Sequence, residues 1–288
     1  MAHFKNTLKN VIKIGLFTRL FVSIIFFQVL TLKSIYAVEN NKVNLYVMLD
    51  VDGTITQRID PNDIKTITRV EEAGFHCYRL KFIASKYVHP KYYRWYHSML
   101  ENKILRDEQK INVSILDENT LEIEEVVVLR PSIPSFLEKL DQLNNNHVSV
   151  KLYIASRNDD IRNQNLINRL KVNINGIPFK DKVKLIPRED FRIHVFSPIE
   201  GWIAGKSAAL VRAKFKNEKN EKIESNAFIV FVDNIIPERF VKGDRDLDQL
   251  LRPTRFIISN LNNTDIEKDR QDFQSIYKSI EKLVKNEN

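Results

Sequence analysis

Cysteine is almost missing from this chain. Cys77 stands alone among 288 residues, so neither an internal disulfide nor a cysteine metal cluster can form. Glycine is scarce, at 7 residues, which gives more weight to those few that fall at loop positions. Acidic residues are absent from residues 1–37, which carry Lys5, Lys9, Lys13, Arg19 and Lys33. The apolar run Leu20–Leu32 is 13 residues long, short of the roughly 20 that a membrane-spanning helix needs. The six histidines show no metal-ligand spacing and read as surface or packing residues.

Composition is otherwise that of a globular protein, with 43% hydrophobic and 28% charged residues. A sizeable core is possible and disorder is not expected. The length suits one large α/β domain with an insertion, or two small domains. A net charge of +8 hints at nucleic acid, but setting aside residues 1–37 leaves 40 basic against 37 acidic residues. The excess belongs to the N-terminus, and no nucleic-acid partner is expected.

That N-terminus reads as a targeting segment. A basic stretch ends at Arg19, the apolar run follows, and Ser34-Ile35-Tyr36-Ala37 places a small residue where a signal peptidase would cut. The expectation is an exported protein, in a bacterial periplasm or secreted, with residues 1–37 as signal segment and 38–288 as the mature domain. The alternative is an uncleaved anchor through residues 20–32, the only membrane contact expected.

Beyond it, short apolar runs alternate with amphipathic patterns. Strands are expected at Val43–Leu49, Ser149–Ala155, Lys182–Ile186, Ala227–Val232 and Arg255–Ile258. Helices are expected at Pro134–Leu143, Asp160–Leu170, Ala204–Phe215, Ile236–Leu251 and Asp265–Lys285. The fold class this implies is α/β, a Rossmann-like parallel sheet with helices on both faces. Ligands then belong at the carboxyl ends of the strands. Residues 57–129 break the alternation and read as a β-containing insertion after the first strand. Its strands are expected near Tyr78–Ile83, Asn112–Leu116 and Leu121–Leu129, with a hairpin turn at Asp117-Glu118-Asn119. The basic, aromatic run Lys86–Tyr96 reads as the insertion's own core or as a substrate platform.

Chemistry gathers where strands end. The first strand runs into Asp50-Val51-Asp52-Gly53-Thr54. Two carboxylates two residues apart on an extended chain repel unless a cation or a shared proton serves them. A hard, partly hydrated cation with oxygen ligands is the natural solution. One carboxylate can then attack phosphorus, and the other can protonate the leaving oxygen and later activate water. Ser156 follows the second expected strand and could donate its hydroxyl to a phosphoryl oxygen, although serine there is commonly a helix cap. Lys206 follows Gly201 and Gly205 at the opening of an expected helix, where a cation and free amides could meet an anion. Asp233-Asn234 follow the fourth strand and could complete the cation's oxygen shell.

The ordered set DxDGT, Ser, Lys and Asp-Asn resembles the haloacid dehalogenase (HAD) superfamily, over roughly Val43 to the C-terminus without the insertion. The resemblance implies Asp50 as nucleophile, Asp52 as general acid/base, and Thr54, Ser156 and Lys206 as phosphate-binding. It implies Mg²⁺ held by Asp50, the Asp52 backbone carbonyl, Asp233 and Asn234. Dehalogenases lack an acid at the place of Asp52, so the implied activity is a Mg-dependent phosphomonoester phosphatase. Leu129-Arg130-Pro131 through Phe136-Leu137 is similar to a stretch of the FCP/SCP (NLI-interacting-factor-like) phosphatases, as is Val232-Asp233-Asn234. Ala155-Ser156-Arg157 is instead similar to the Mg-dependent phosphatases related to them. The expected partner is a phosphorylated small molecule or a phosphoprotein. The rival reading is a binding module that kept the fold and lost turnover.

Overall fold

The computed structural model describes residue 28 and residues 42–102, 110–156, 158–197, 201–207, 210, 211, 213, 227–234, 249–258 and 261–285; of 192–197, 201–205 and 249 it describes the backbone alone. The targeting segment therefore lies outside the described residues, save Gln28. Among the described residues no helix is long and apolar enough to cross a membrane.

The chain first forms β1 (Val43–Leu49), whose residues are almost all buried, as a strand covered on both faces requires. It then builds β2 (Thr56–Ile59), α1 (Ile64–Glu72), β3 (Cys77–Ser85), α2 (Pro90–Glu101), β4 (Asn112–Asp117) and β5 (Thr120–Leu129). There follow α3 (Ile133–Gln142), β6 (Val148–Ile154), α4 (Asp160–Arg169), the short pair β7 (Asn173–Ile174) and β8 (Ile177–Pro178), α5 (Phe179–Lys182) and β9 (Val183–Leu185). Last come β10 (Arg192–Ser197), β11 (Gly201–Lys206), β12 (Phe228–Val232), β13 (Gln249–Leu251) and α6 (Asn263–Lys285). All these elements belong to the second of two compact units, Met1–Lys42 and Val43–Asn288.

The central sheet has the order β13-β12-β1-β6-β9, and each pairing is parallel. The chain leaves β1 for β6 and β9 on one side, then returns to lay β12 and β13 on the other. The boundary between β1 and β12 is thus the point where the winding reverses, the place where open parallel sheets take their ligands. On one face Val43, Leu45, Val47 and Leu49 pack with apolar residues of α3, α4 and α6. Helix α6 turns Phe273, Ile276, Ile280 and Val284 inward at helical spacing, and Phe273 meets Phe136 of α3 at 5.0 Å between ring centroids. The other face carries Tyr46, Met48, Ile229 and Phe231, covered by Ile186, Phe191 and Val211. Among the described residues, helix on that second face is confined to residues 210, 211 and 213.

Between β1 and β6 the chain makes a second, antiparallel sheet. Strand β5 is its spine, paired along its length with β3 on one edge and with β2 and β4 in succession on the other. Its alternation of apolar and polar residues is the period-two pattern of a strand with one face inward. Asp117 faces Thr120, so the β4–β5 turn is Glu118-Asn119. Tyr96 and Met99 of α2 bury against Phe82, Val113 and Ile123, whereas Tyr87, Val88 and Trp95 are exposed. The aromatic run is therefore partly core and partly surface.

Three expectations are corrected. The last strand of the central sheet is Gln249–Leu251, not Arg255–Ile258. Phe256 and Ile258 alternate in burial with Ile257 because they pack onto Ile67, Val70 and Val126 of the second sheet's layer. Residues 249–251 are also strand, not the end of a helix, while 236–248 lie outside the described residues. Finally, Lys206 closes β11 instead of opening a helix, and the helical residues begin beyond it.

Candidate active site

Asp50 is the first residue beyond β1, and its amide donates to the carbonyl of Val232 at the end of β12 (2.9 Å). That bond ties the two strand ends together. Asp50 and Asp233 are both buried, and the Lys206 ammonium lies between them, 2.8 Å from Asp50 Oδ1 and 2.5 Å from Asp233 Oδ2. Three residues from separate strands thus form one buried cluster. Burial pushes the Asp50 carboxyl up to about 6, with Asp233 adding to the rise and Lys206 opposing it.

The chain leaves Asp50 through a tight loop. The amides of Thr54, Ile55 and Thr56 all turn back to the Val51 carbonyl, and Gly53 sits at φ 80°, where a side chain is strained. A Cβ at Gly53 would also collide with the Asn234 amide, so Asn234 packs directly on this loop. Arg130, fully buried after β5, fastens the loop from below. Its guanidinium donates to the carbonyls of Gly53 (2.6 Å) and Thr254 (2.9 Å) and pairs with Asp269 of α6. The arginine of the Leu129-Arg130-Pro131 stretch is thus a strut beneath the DxDGT loop.

Asp52 faces other partners. Its Oδ1 accepts from Arg162 Nη2 (2.7 Å), and its Oδ2 from Asn158 Nδ2 (2.9 Å), with Arg58 Nη2 3.0 Å away. Glu125 lies behind, 2.5 Å from Arg162 Nε and 2.9 Å from Arg58 Nε. Burial disfavours a charge on Asp52, but Arg162 and Arg58 outweigh it and hold its carboxyl below the ordinary 3.8. Arg162 is positioned by its helix, since Asp159 caps α4 by accepting from the Arg162 amide at 2.6 Å.

Ser156 is buried two residues past β6, and its hydroxyl accepts from Asn158 Nδ2 at 3.1 Å. The neighbouring Ala155 amide bonds to the Leu49 carbonyl (2.9 Å), which sets this strand end beside the first. Thr54 is fully buried, and its hydroxyl has no hydrogen-bond partner among the described residues. Arg157 lies outside the described residues.

The expected site residues fall into three contact groups. Asp50, Lys206 and Asp233 touch; Asp52 and Ser156 share Asn158; Asn234 rests on Gly53. Sequence reasoning missed Arg58, Glu125, Asn158 and Arg162. Their only trace is the Asp159-Asp160-Ile161-Arg162 start of a helix, which reads as a cap and says nothing of Asp52. No family model matches the chain, and no curated protein matches it.

Asp52 and Glu125 lie against Arg58 and Arg162, and Asp50 and Asp233 meet at Lys206, so both carboxylate pairs are held next to cationic side chains. Among the described residues no three His, Cys, Asp or Glu side chains gather as a metal group. A site here would rest on two carboxylates completed by an amide and backbone oxygen, an all-oxygen set of the kind Mg²⁺ accepts with water.

Proposed function

We propose that the chain is a HAD-type, Mg²⁺-dependent phosphomonoester hydrolase in which Asp50 is the nucleophile. The observation that carries this reading is the buried Asp50–Lys206–Asp233 cluster at the reversal point between β1 and β12. A carboxylate, a cation and a second carboxylate from three strand ends are what in-line transfer of a phosphoryl group to an aspartate calls for.

In this reading the Asp50 carboxylate attacks phosphorus, the bond to the leaving oxygen breaks, and an aspartyl phosphate forms. Lys206 steadies the phosphoryl oxygens, with the Thr54 and Ser156 hydroxyls as further donors. Asp52, oriented by Arg162 and Arg58, takes a proton from the water that attacks the aspartyl phosphate and passes that proton to the leaving oxygen of the next turnover. Asp50, Asp233, Asn234 and the Asp52 carbonyl would hold Mg²⁺, which when bound offsets phosphoryl charge. Export through residues 1–37 belongs to the same proposal.

The test is hydrolysis of p-nitrophenyl phosphate by the purified chain with and without Mg²⁺, beside Asp50→Asn. Metal-dependent turnover lost in the variant supports the reading. Turnover that survives the substitution removes Asp50 from the mechanism.

A further inference from the structure

Helix α2 of the insertion meets the start of α4 through two tyrosines one turn apart. The Tyr96 hydroxyl donates to Asp159 Oδ2, and the Tyr92 hydroxyl accepts from the Asp160 amide at 3.4 Å. Residues four apart share a helix face, so both hydroxyls reach the same target, the N-terminus of α4. Tyr96, Asp159 and Arg162 are 2%, 3% and 1% exposed. Water cannot stand in for a partner lost at that depth, and a buried acceptor left unpaired is costly.

The contacts run on to Asp52. Asp159 divides its two oxygens, one held by Tyr96 and the other accepting from the Arg162 amide at 2.6 Å. With one oxygen anchored, the carboxylate cannot turn away from the helix it caps, so the first turn of α4 keeps its place. The Arg162 guanidinium leaves that turn and donates to Asp52 Oδ1 at 2.7 Å, with its Nε against Glu125 at 2.5 Å. Arg58 also holds Asp52, at 3.0 Å, but comes from β2 and not through α2. Loss of the Tyr96 hydroxyl would therefore misplace Asp52 without releasing it.

We propose that Tyr96 is a positioning residue whose hydroxyl, acting through Asp159 and Arg162, sets the place of the Asp52 carboxylate. Part of the aromatic stretch in the insertion thereby supports the site without touching substrate. The inference rests on the proposed phosphatase reading for the role of Asp52, and its structural half is tested separately.

The experiment compares the full chain with Tyr96→Phe, which keeps the ring that packs on Phe82 and Trp95 and removes only the hydroxyl. The substrates are p-nitrophenyl, phenyl and benzyl phosphate, single-ring esters whose leaving oxygens need a proton increasingly. Because kcat/KM covers the steps up to transfer onto Asp50, it reports protonation of the leaving oxygen. The variant should keep kcat/KM within about twofold for p-nitrophenyl phosphate and lose roughly tenfold for benzyl phosphate, part of the 100- to 10,000-fold or so that a placed acid supplies. Inhibition by inorganic phosphate should not change. Asp159→Ala should give the same graded loss, and the double variant should be no worse than Asp159→Ala alone. An equal loss on all three esters, no loss on any, or additive losses in the double variant overturns the inference. If the unmodified chain turns over none of the esters, the phosphatase reading falls by itself. Hydrogen exchange at the Arg162 amide then decides the rest: faster exchange in Tyr96→Phe sustains the link from Tyr96 to Arg162, and unchanged exchange removes it.

Discussion

Gly53 and Asn234 lie against each other where the loop after β1 meets the end of β12, with no room for a side chain on the glycine. The backbone at Gly53 is also left-handed, at φ 80°. Gly53→Ala therefore combines strain of about 1–2 kcal/mol with displacement of Asn234. Stability in urea should fall by about that amount. Turnover should fall more than roughly tenfold, because a shift of about 1 Å at a reacting centre costs more than it does elsewhere.

Lys206 bridges Asp50 and Asp233. Lys206→Met should destabilise the fold by about 3–5 kcal/mol at pH 8, since two buried carboxylates lose their counter-charge. Asp50 already titrates near 6 in the folded chain against 3.8 ordinarily, and the variant raises it further. An acid whose folded value is raised destabilises as pH climbs from the unfolded value through the folded one. The deficit should therefore be small near pH 4 and large at pH 8. Unfolding curves at the two pH values check this, and Lys206→Met with Asp233→Asn should recover much of the loss at pH 8.

Arg162 and Glu125 are both fully buried and meet at 2.5 Å. Removing Arg162 leaves Asp52 and Glu125 to share Arg58, so Arg162→Met should cost about 3–5 kcal/mol. The double variant Arg162→Met with Glu125→Met replaces a buried ion pair by apolar volume and should regain most of that stability. Activity should not return with it, because Asp52 loses the guanidinium that orients it. A double-mutant cycle on unfolding free energy and on kcat separates the two roles.

The central sheet was readable wherever a run of apolar residues is continuous. Val43–Leu49 and the strands ending near Ile154 and Val232 are buried on both faces and show it in their composition. Because Asp50, Ser156 and Asp233 each follow such a run, they could be placed from sequence, whereas Lys206, at the end of β11, could not. Periodicity misled at Arg255–Ile258, where alternate burial comes from packing on a neighbouring layer and not from pairing. The Arg58–Glu125–Arg162 network was hidden for a different reason. Each of its members comes from an ordinary polar position, and only the juxtaposition of the second sheet with α4 makes them partners.

Asp160, in the first turn of α4, is pushed up to about 6 from 3.8, chiefly by burial. Its charge is thus a liability once the chain is folded. The stability it contributes is complete below its unfolded value and is lost as pH rises through about 6. Asp160→Asn should raise stability at pH 7.5 by up to about 1 kcal/mol after allowance for solvent screening, and by nothing measurable near pH 3.5. Thermal unfolding at both pH values tests the sign.

The most direct test asks whether Asp50 carries phosphorus during turnover. The chain is mixed with p-nitrophenyl phosphate and Mg²⁺, quenched in acid, reduced with borohydride and digested, and the Asp50 peptide is weighed. Reduction of an acyl phosphate converts that aspartate to homoserine, and the account predicts this change at Asp50 in a substrate-dependent fraction of the protein. Active enzyme whose Asp50 peptide is never modified, or whose modification falls on another carboxylate, would contradict it.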